Sequence, residues 1–206
     1  MAGGPLGARM EIEVLLFDGF DELDAVGPFE VFSNAARHRE DVTVRTVTLE
    51  PTDRVVASHG LTIVSDGTLG HPDLLVVPGG GWSGGGARRE YEAGVLPEAI
   101  AERHRAGATV ASVCTGAMLL AGAGLLEGRP ATTHHVAHDD LEAVTERVDA
   151  RVVDDGDLLT AGGVTSGIDL ALWVVEREFG AEIAERVASE LEYERRGEIH
   201  RAAAAG

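Results

Sequence analysis

Apolar positions fall into two alternating rhythms along the chain. "EIEVLLF" (11–17) is a short apolar run closed by the turn-forming "DGFDE", and it predicts a buried strand. "DAVGPFEVFSNAAR" (24–37) spaces its apolar residues as a helix does, with Pro28 tolerable only near the helix start. "VTVRTVTLE" (42–50) alternates like a strand, and "VVASHGLTIVSDG" (55–67) reads as a hairpin bending near Gly60. "DLLVVPGGG" (73–81) predicts a buried strand that stops at proline and glycine. "LPEAIAERHRAG" (96–107) predicts a helix capped at Gly107. "ATVASV" (108–113) is a strand and "TGAMLLAGAGLL" (115–126) a helix whose small residues let it lie close to a sheet. Beyond it, "RPATTHH" (129–135) predicts a short strand and "RVVDDGDLLTAGG" (151–163) a hairpin around Asp155 and Gly156. "TSGIDLALWVVEREFG" (165–180) and "AEIAERVASELEYERR" (181–196) predict two helices.

Strands separated by helices imply parallel pairing, because a parallel connection needs a crossover long enough to hold a helix. The predicted class is α/β, an open, doubly wound, mostly parallel sheet with helices on both faces. At 206 residues the chain fits one domain. We expect it to occupy residues 11–196, between a flexible start (1–10) and a flexible tail (197–206). "GGGWSGGGARRE" is the one low-complexity patch. It reads as a mobile loop, without a convincing helix after it.

Composition narrows the setting. No run approaches the roughly eighteen apolar residues of a membrane span, and "MAGGPLGARM" lacks the apolar block of a secretory signal, so a cytoplasmic location is expected and no membrane contact. The single cysteine is compatible with a reducing compartment. Asp and Glu number 35 against 17 basic residues, all of them arginine, for a net charge of −18. Such a surface repels nucleic acid, so no nucleic-acid partner is expected, and it favours solubility at high ionic strength.

The candidate chemistry gathers at predicted strand ends, where parallel sheets bind ligands. Cys114 lies where a strand turns into a helix. Unpartnered backbone N–H groups and the helix dipole there favour thiolate, and such sites lower a cysteine pKa from ~8.5 toward ~3.5–7.5. The competing reading is a small buried apolar residue. Asp24 follows the first strand and reads either as a carboxyl partner for the sulfur or as a helix N-cap. Gly79 and Gly80, after the strand expected beside the cysteine strand, either turn the chain or offer N–H groups to developing negative charge.

His134, His135 and His138 with Asp139 and Asp140 suggest a metal site. Adjacent histidines on a strand point to opposite faces, however, and no metal is expected. His134 is kept as a pocket residue. Gly79, Gly81 and Gly84 match G-x-G-x-x-G after a strand, but glycine is too frequent here for the match to carry nucleotide binding. Thr165 and Ser166 read as an N-cap signal, and Trp173 as core.

Five blocks in order, "LDAVGPFEVF", "DLLVVPGGG", "SVCTGAMLLAGAGLLEGRPATTHH", "DGDLLTAGGVTSGIDLALWVVEREFG" and "LEYERR", resemble the ThiJ/PfpI superfamily, whose fold is similar to class I glutamine amidotransferase domains. "LDxxGP" with "CTG" and "ATTH" looks most like the isonitrile hydratase branch and the related domains of AraC-type regulators. The resemblance implies a flavodoxin-like sandwich, usually a homodimer, acting on a small-molecule substrate without cofactor. It implies Cys114 as nucleophile, Asp24 as its carboxyl partner, Thr115 helping to place water, and backbone donors at Gly80 and Thr115. Three departures matter. Thr115 stands where peptidase members have histidine. Asp24 stands where the deglycase and glyoxalase members have glutamate. His135 stands where "ATTHW" relatives have tryptophan, which implies a smaller, more polar pocket wall. The alternatives are a ligand-sensing regulator domain and a thiol-based stress protein acting on reactive aldehydes.

Overall fold

The computed structural model describes residues 9–202. Residues 1–8 of the expected flexible start and residues 203–206 of the expected tail lie outside that range. β1 (Met10–Leu16) leads through α1 (Glu22–Ala36) to β2 (Val42–Thr48). An antiparallel hairpin of β3 (Val55–Val56) and β4 (Thr62–Ile63) precedes the edge strand β5 (Gly67–Thr68). Next come β6 (Leu74–Val77), α2 (Gly86–Ala93), α3 (Val95–Arg105), β7 (Thr109–Val113) and α4 (Gly116–Gly122). A 3-10 turn (His135–Ala137) runs into α5 (His138–Glu142). The chain closes with β8 (Val152–Asp155), β9 (Leu158–Ala161), α6 (Ser166–Phe179), α7 (Ala181–Glu190) and β10 (Ile199–Arg201).

Eight strands form one sheet in the order β10-β8-β9-β7-β6-β1-β2-β5. Every neighbouring pair is parallel except the β8–β9 hairpin. The central strands are continuous apolar runs because both their faces are covered. All four residues of β6 are fully buried, and Val110, Ala111 and Val113 of β7 nearly so. The chain winds from β1 to β2 in one direction and from β6 to β7 in the other. Right-handed crossovers in opposite directions place helices on opposite faces. The helices accordingly form two groups, α1 with α6 and α7, and α2 with α3 and α4. The reversal between β1 and β6 opens a crevice beyond their carboxyl ends. Among the described residues no helix is long and apolar enough to cross a membrane.

The doubly wound, mostly parallel sheet is as expected, and so are both hairpins, with Gly60 and Gly156 in left-handed backbone at their bends. Four local expectations are corrected. The glycine-rich patch is anchored. Trp82 is buried, its Nε1 donates to Asp140 Oδ2 at 2.7 Å, and Arg88 and Tyr91 pack on its ring. Helix α2 then starts at Gly86. "RPATTHH" forms no strand, only an isolated bridge between Ala131 and Arg147. The helix after Cys114 stops at Gly122, ahead of the left-handed Gly124. The chain after Glu190 folds back instead of continuing the last helix. Asp169 accepts from Tyr193 Oη at 2.8 Å and from the Arg196 N–H at 2.9 Å. That return lets Ile199–Arg201 pair with β8, so the expected tail is a strand as far as Arg201.

Candidate active site

Cys114 sits directly after β7 with φ +59°, a left-handed conformation that side chains other than glycine rarely adopt. Its N–H donates to the carbonyls of Ala161 (3.0 Å) and Gly162 (2.8 Å) at the end of β9, and its carbonyl accepts from Thr133 Oγ1 at 2.8 Å. The turn is tight because the next helix lies against β6. A Cβ on Gly116 would come within 2.3 Å of the Val77 carbonyl oxygen. A Cβ on Gly79 would come within 2.6 Å of Thr115 N and 2.9 Å of Asp24 Oδ2. Only hydrogen fits at either place.

Asp24 enters from the first turn of α1, whose N-cap is Asp21, accepting from Leu23 N. The cap expected of Asp24 therefore falls three residues earlier. Asp24 is fully buried, Oδ2 accepts from the Gly79 N–H at 3.0 Å, and Oδ1 has no hydrogen-bond partner. Burial, reinforced by the nearby Asp21 charge, pushes its pKa up to about 8, against the downward pull of the Gly79 N–H and the Cys114 thiol.

The thiolate expected at the helix tip is not what the geometry supports. Cys114 is 6% exposed. Burial and then the Asp24 carboxylate push its pKa up to about 12, and the N–H groups of Thr115 and Val164 facing the sulfur offset only part of that. Burial thus favours the protonated, neutral form of both groups.

The structure brings Cys114, Asp24, Thr115, Gly79 and Gly80 together, but it uses several of their polar groups internally. Thr115 Oγ1 accepts from the Gly80 N–H at 2.9 Å and donates to the Gly80 carbonyl at 2.8 Å. The Gly79 N–H is taken by Asp24. Neither glycine thus offers the free N–H expected of it, and the Thr115 hydroxyl holds backbone. Of the expected donors only the Thr115 N–H faces the sulfur, with Val164 as its unforeseen companion. Val164 follows β9, the neighbour of β7, so the strand-end rule applied to that strand would have found it.

His134 caps the 3-10 turn, its Nδ1 accepting from Val136 N at 3.3 Å, and its ring packs on Gly163, beside Val164. Burial and the neighbouring His135 and His138 lower its pKa. Since Nδ1 accepts, the ring's proton is on Nε2. His135 is exposed, with its ring 4.1 Å from that of His134. The opposite-face argument fails, since the two leave a turn and not a strand. Both line a cavity of about 340 Å³ shared with His138, Arg151 and Gly163, in whose wall Cys114 takes no part. The structure thus places His135, with His134, on a cavity that Cys114 does not line.

The DJ-1/PfpI family pattern matches residues 10–177, which is most of the chain. The chain belongs to the DJ-1/PfpI family. Among its DJ-1/PfpI relatives, an isonitrile hydratase of Pseudomonas putida is 37% identical over 188 residues, spanning 89% of this chain and 78% of that protein. The HTH-type transcriptional regulator CdhR of Pseudomonas aeruginosa is 31% identical over 189 residues, 85% of this chain but only 53% of the regulator. The crystal structure of a ThiJ/PfpI family protein from Pseudomonas syringae superposes with a TM-score of 0.82 at 28% identity, covering 94% of this chain and 82% of that one.

The raised Asp24 pKa has a stability consequence for this DJ-1/PfpI chain. An unfolded Asp releases its proton near its ordinary value of 3.8 and the folded one near 8, so the native state loses stability as pH climbs between those values. Asp24→Asn keeps an acceptor for Gly79 and removes that loss. At pH 8 its melting temperature should exceed the parent's by at least ~5 °C, or about 2 kcal/mol, and the gain should vanish near pH 4. Melting curves at the two pH values test this, and equal curves at both would refute the buried-acid assignment.

Proposed function

We propose that the protein hydrates small isonitriles to N-substituted formamides, with Cys114 as nucleophile and Asp24 as proton carrier. The observation that carries this reading is a buried carboxyl with one unpartnered oxygen beside the sulfur of a strained strand-to-helix turn. Sequence similarity to an isonitrile hydratase supports the choice of substrate.

The chemistry balances as follows. The Cys114 sulfur attacks the terminal carbon of R–N≡C while Asp24 Oδ1 takes the thiol proton and passes it to that carbon, giving a thioimidate, S–CH=N–R. Water adds to the same carbon and one of its protons goes to nitrogen. The C–S bond then breaks as the hydroxyl proton returns to sulfur, releasing HC(=O)–NH–R. Moving a proton from a thiol near 12 to a carboxylate near 8 is uphill by about four units, roughly 5 kcal/mol, so attack and transfer proceed together. The N–H groups of Thr115 and Val164 hold the sulfur's negative charge as it leaves the carbon.

The regulator relative favours one other reading, a ligand-sensing domain. A stress-protein reading fits less well, because a buried thiol near 12 is slow to oxidise. The apolar side chains of Leu23 and Val26 on α1 and of Val56, Leu61 and Val64 around the hairpin are exposed. The Leu61 N–H donates to Glu22, which brings hairpin and helix together. We assign this face to a second copy in a homodimer, the commonest closed assembly.

Steady-state kinetics with a simple alkyl isonitrile tests the chemistry. Cys114→Ala should abolish formamide production and Asp24→Ala should cost at least ~100-fold. Because Asp24 acts ionised, the parent's kcat/KM should rise about tenfold from pH 7 to a plateau above its pKa of about 8. Full activity in either variant ends the mechanism. Consumption of methylglyoxal with isonitriles ignored favours the aldehyde reading, and thermal stabilisation by a small molecule with no turnover favours the sensor. Sedimentation of the parent should give twice the chain mass and Val64→Glu the single mass, and two equal masses would remove the assigned face.

A further inference from the structure

Asp21 occupies a position that the hydration chemistry leaves unused. It is the N-cap of α1, and Asp24 lies three residues on, in the first turn of the same helix. Its backbone N–H donates to the Gly79 carbonyl at 2.9 Å, the same glycine whose N–H holds Asp24 and whose Cα abuts Thr115. Asp24 and Cys114 are buried, Asp21 is half-buried, and the His59 side chain is 77% exposed. One ligand atom from each of Asp21, Glu22 and His59 lies within 4.8 Å of the others.

The two acids differ in pairing. Glu22 is engaged by the His59 ring at 2.7 Å, by the His59 N–H at 2.8 Å and by Ser58 Oγ at 3.2 Å. Asp21 accepts only from Leu23 N, and among the described residues it makes no ion pair. A carboxylate next to buried groups acts on them through little screening. The Asp21 charge is second only to burial in raising the Asp24 pKa, is the smallest of the influences on Cys114 and His134, and acts on His59 as well.

We propose that Asp21 is a specificity-determining residue, a charge filter at the lip of the Cys114 site that admits neutral or cationic reactants and turns away anionic ones. For the hydration reading, on which only the identity of the substrate rests, this selects isonitriles without a carboxylate or phosphate near the reacting carbon.

The test uses the sulfur itself and needs no turnover. Iodoacetamide and iodoacetate differ in charge and little in size. Their alkylation rates on Cys114 at pH 7, where burial favours the neutral form of Asp24, each divided by its rate on free cysteine, should differ by at least about tenfold in favour of the amide. Asp21→Asn keeps a good N-cap and should reduce that ratio at least about threefold. Glu185→Gln, which removes an exposed charge on α7, should leave it unchanged. Equal ratios in the parent and Asp21→Asn overturn the filter, as does failure of both reagents to reach the sulfur. An intact filter in a protein that ignores isonitriles keeps this proposal and removes the hydration reading.

Discussion

The approach of two glycines to the sheet's backbone is the constraint on which the site depends. Gly116 lies against the end of β6, and Gly79 lies between Thr115 and Asp24. With no side chain at either position, β6, β7 and the start of α4 close up until the residue between them must take a left-handed backbone. Holding Cys114 there costs about 1–3 kcal/mol. The N–H of Cys114 bonded to β9, its carbonyl bonded to Thr133, and the double tie between Thr115 and Gly80 contribute about 1 kcal/mol each, enough to hold the strain. These bonds also explain why so many polar groups near the sulfur are unavailable to a substrate. They fix the turn, and "ATTH" belongs to this framework, since Thr133 grips the Cys114 carbonyl and Thr132 N donates to Thr160.

A sulfur fixed this firmly is also buried, and burial decides its charge. Desolvation outweighs the two facing N–H groups, so the thiol favours its protonated form, which raises the requirement for a base. Asp24 meets that requirement because it is buried as well. A carboxylate at its ordinary pKa would be a poor proton acceptor, while one near 8 is matched to neutral solution. The same desolvation thus weakens the nucleophile and strengthens its partner, and the chemistry passes from a preformed thiolate to a coupled pair.

Periodicity carried the sheet well. Runs such as "DLLVVP" and "ATVASV" are apolar on both faces, which only a central parallel strand needs, and the strand-end rule then placed Cys114, Asp24 and Gly79 in one crevice. Where tertiary contacts override local pattern, legibility fails. Helix α2 opens on Gly86, the last of three consecutive glycines with positive φ, and is anchored through Trp82 to Asp140, 58 residues away. Strand β10 depends on Asp169 gripping the returning chain. In the site, spacing showed which residues meet but not which donors are already taken, and the place of Cys114 at a helix tip favoured a thiolate because burial is absent from any linear pattern.

The net charge of −18 illustrates the same distinction between count and place. Carboxylates on exposed faces such as that of α7 are separated from the sulfur by water and salt, and at physiological ionic strength their field fades within roughly 8 Å. Few charged groups act on Cys114 itself, and Asp24 and Asp21 are the two that raise its pKa. Both belong to one turn of one helix. A surface with many fewer acids would leave the site's electrostatics nearly unchanged, whereas moving the N-cap of α1 by a single residue would rebuild them, because that cap sets which carboxyl enters the crevice and which stays at its edge.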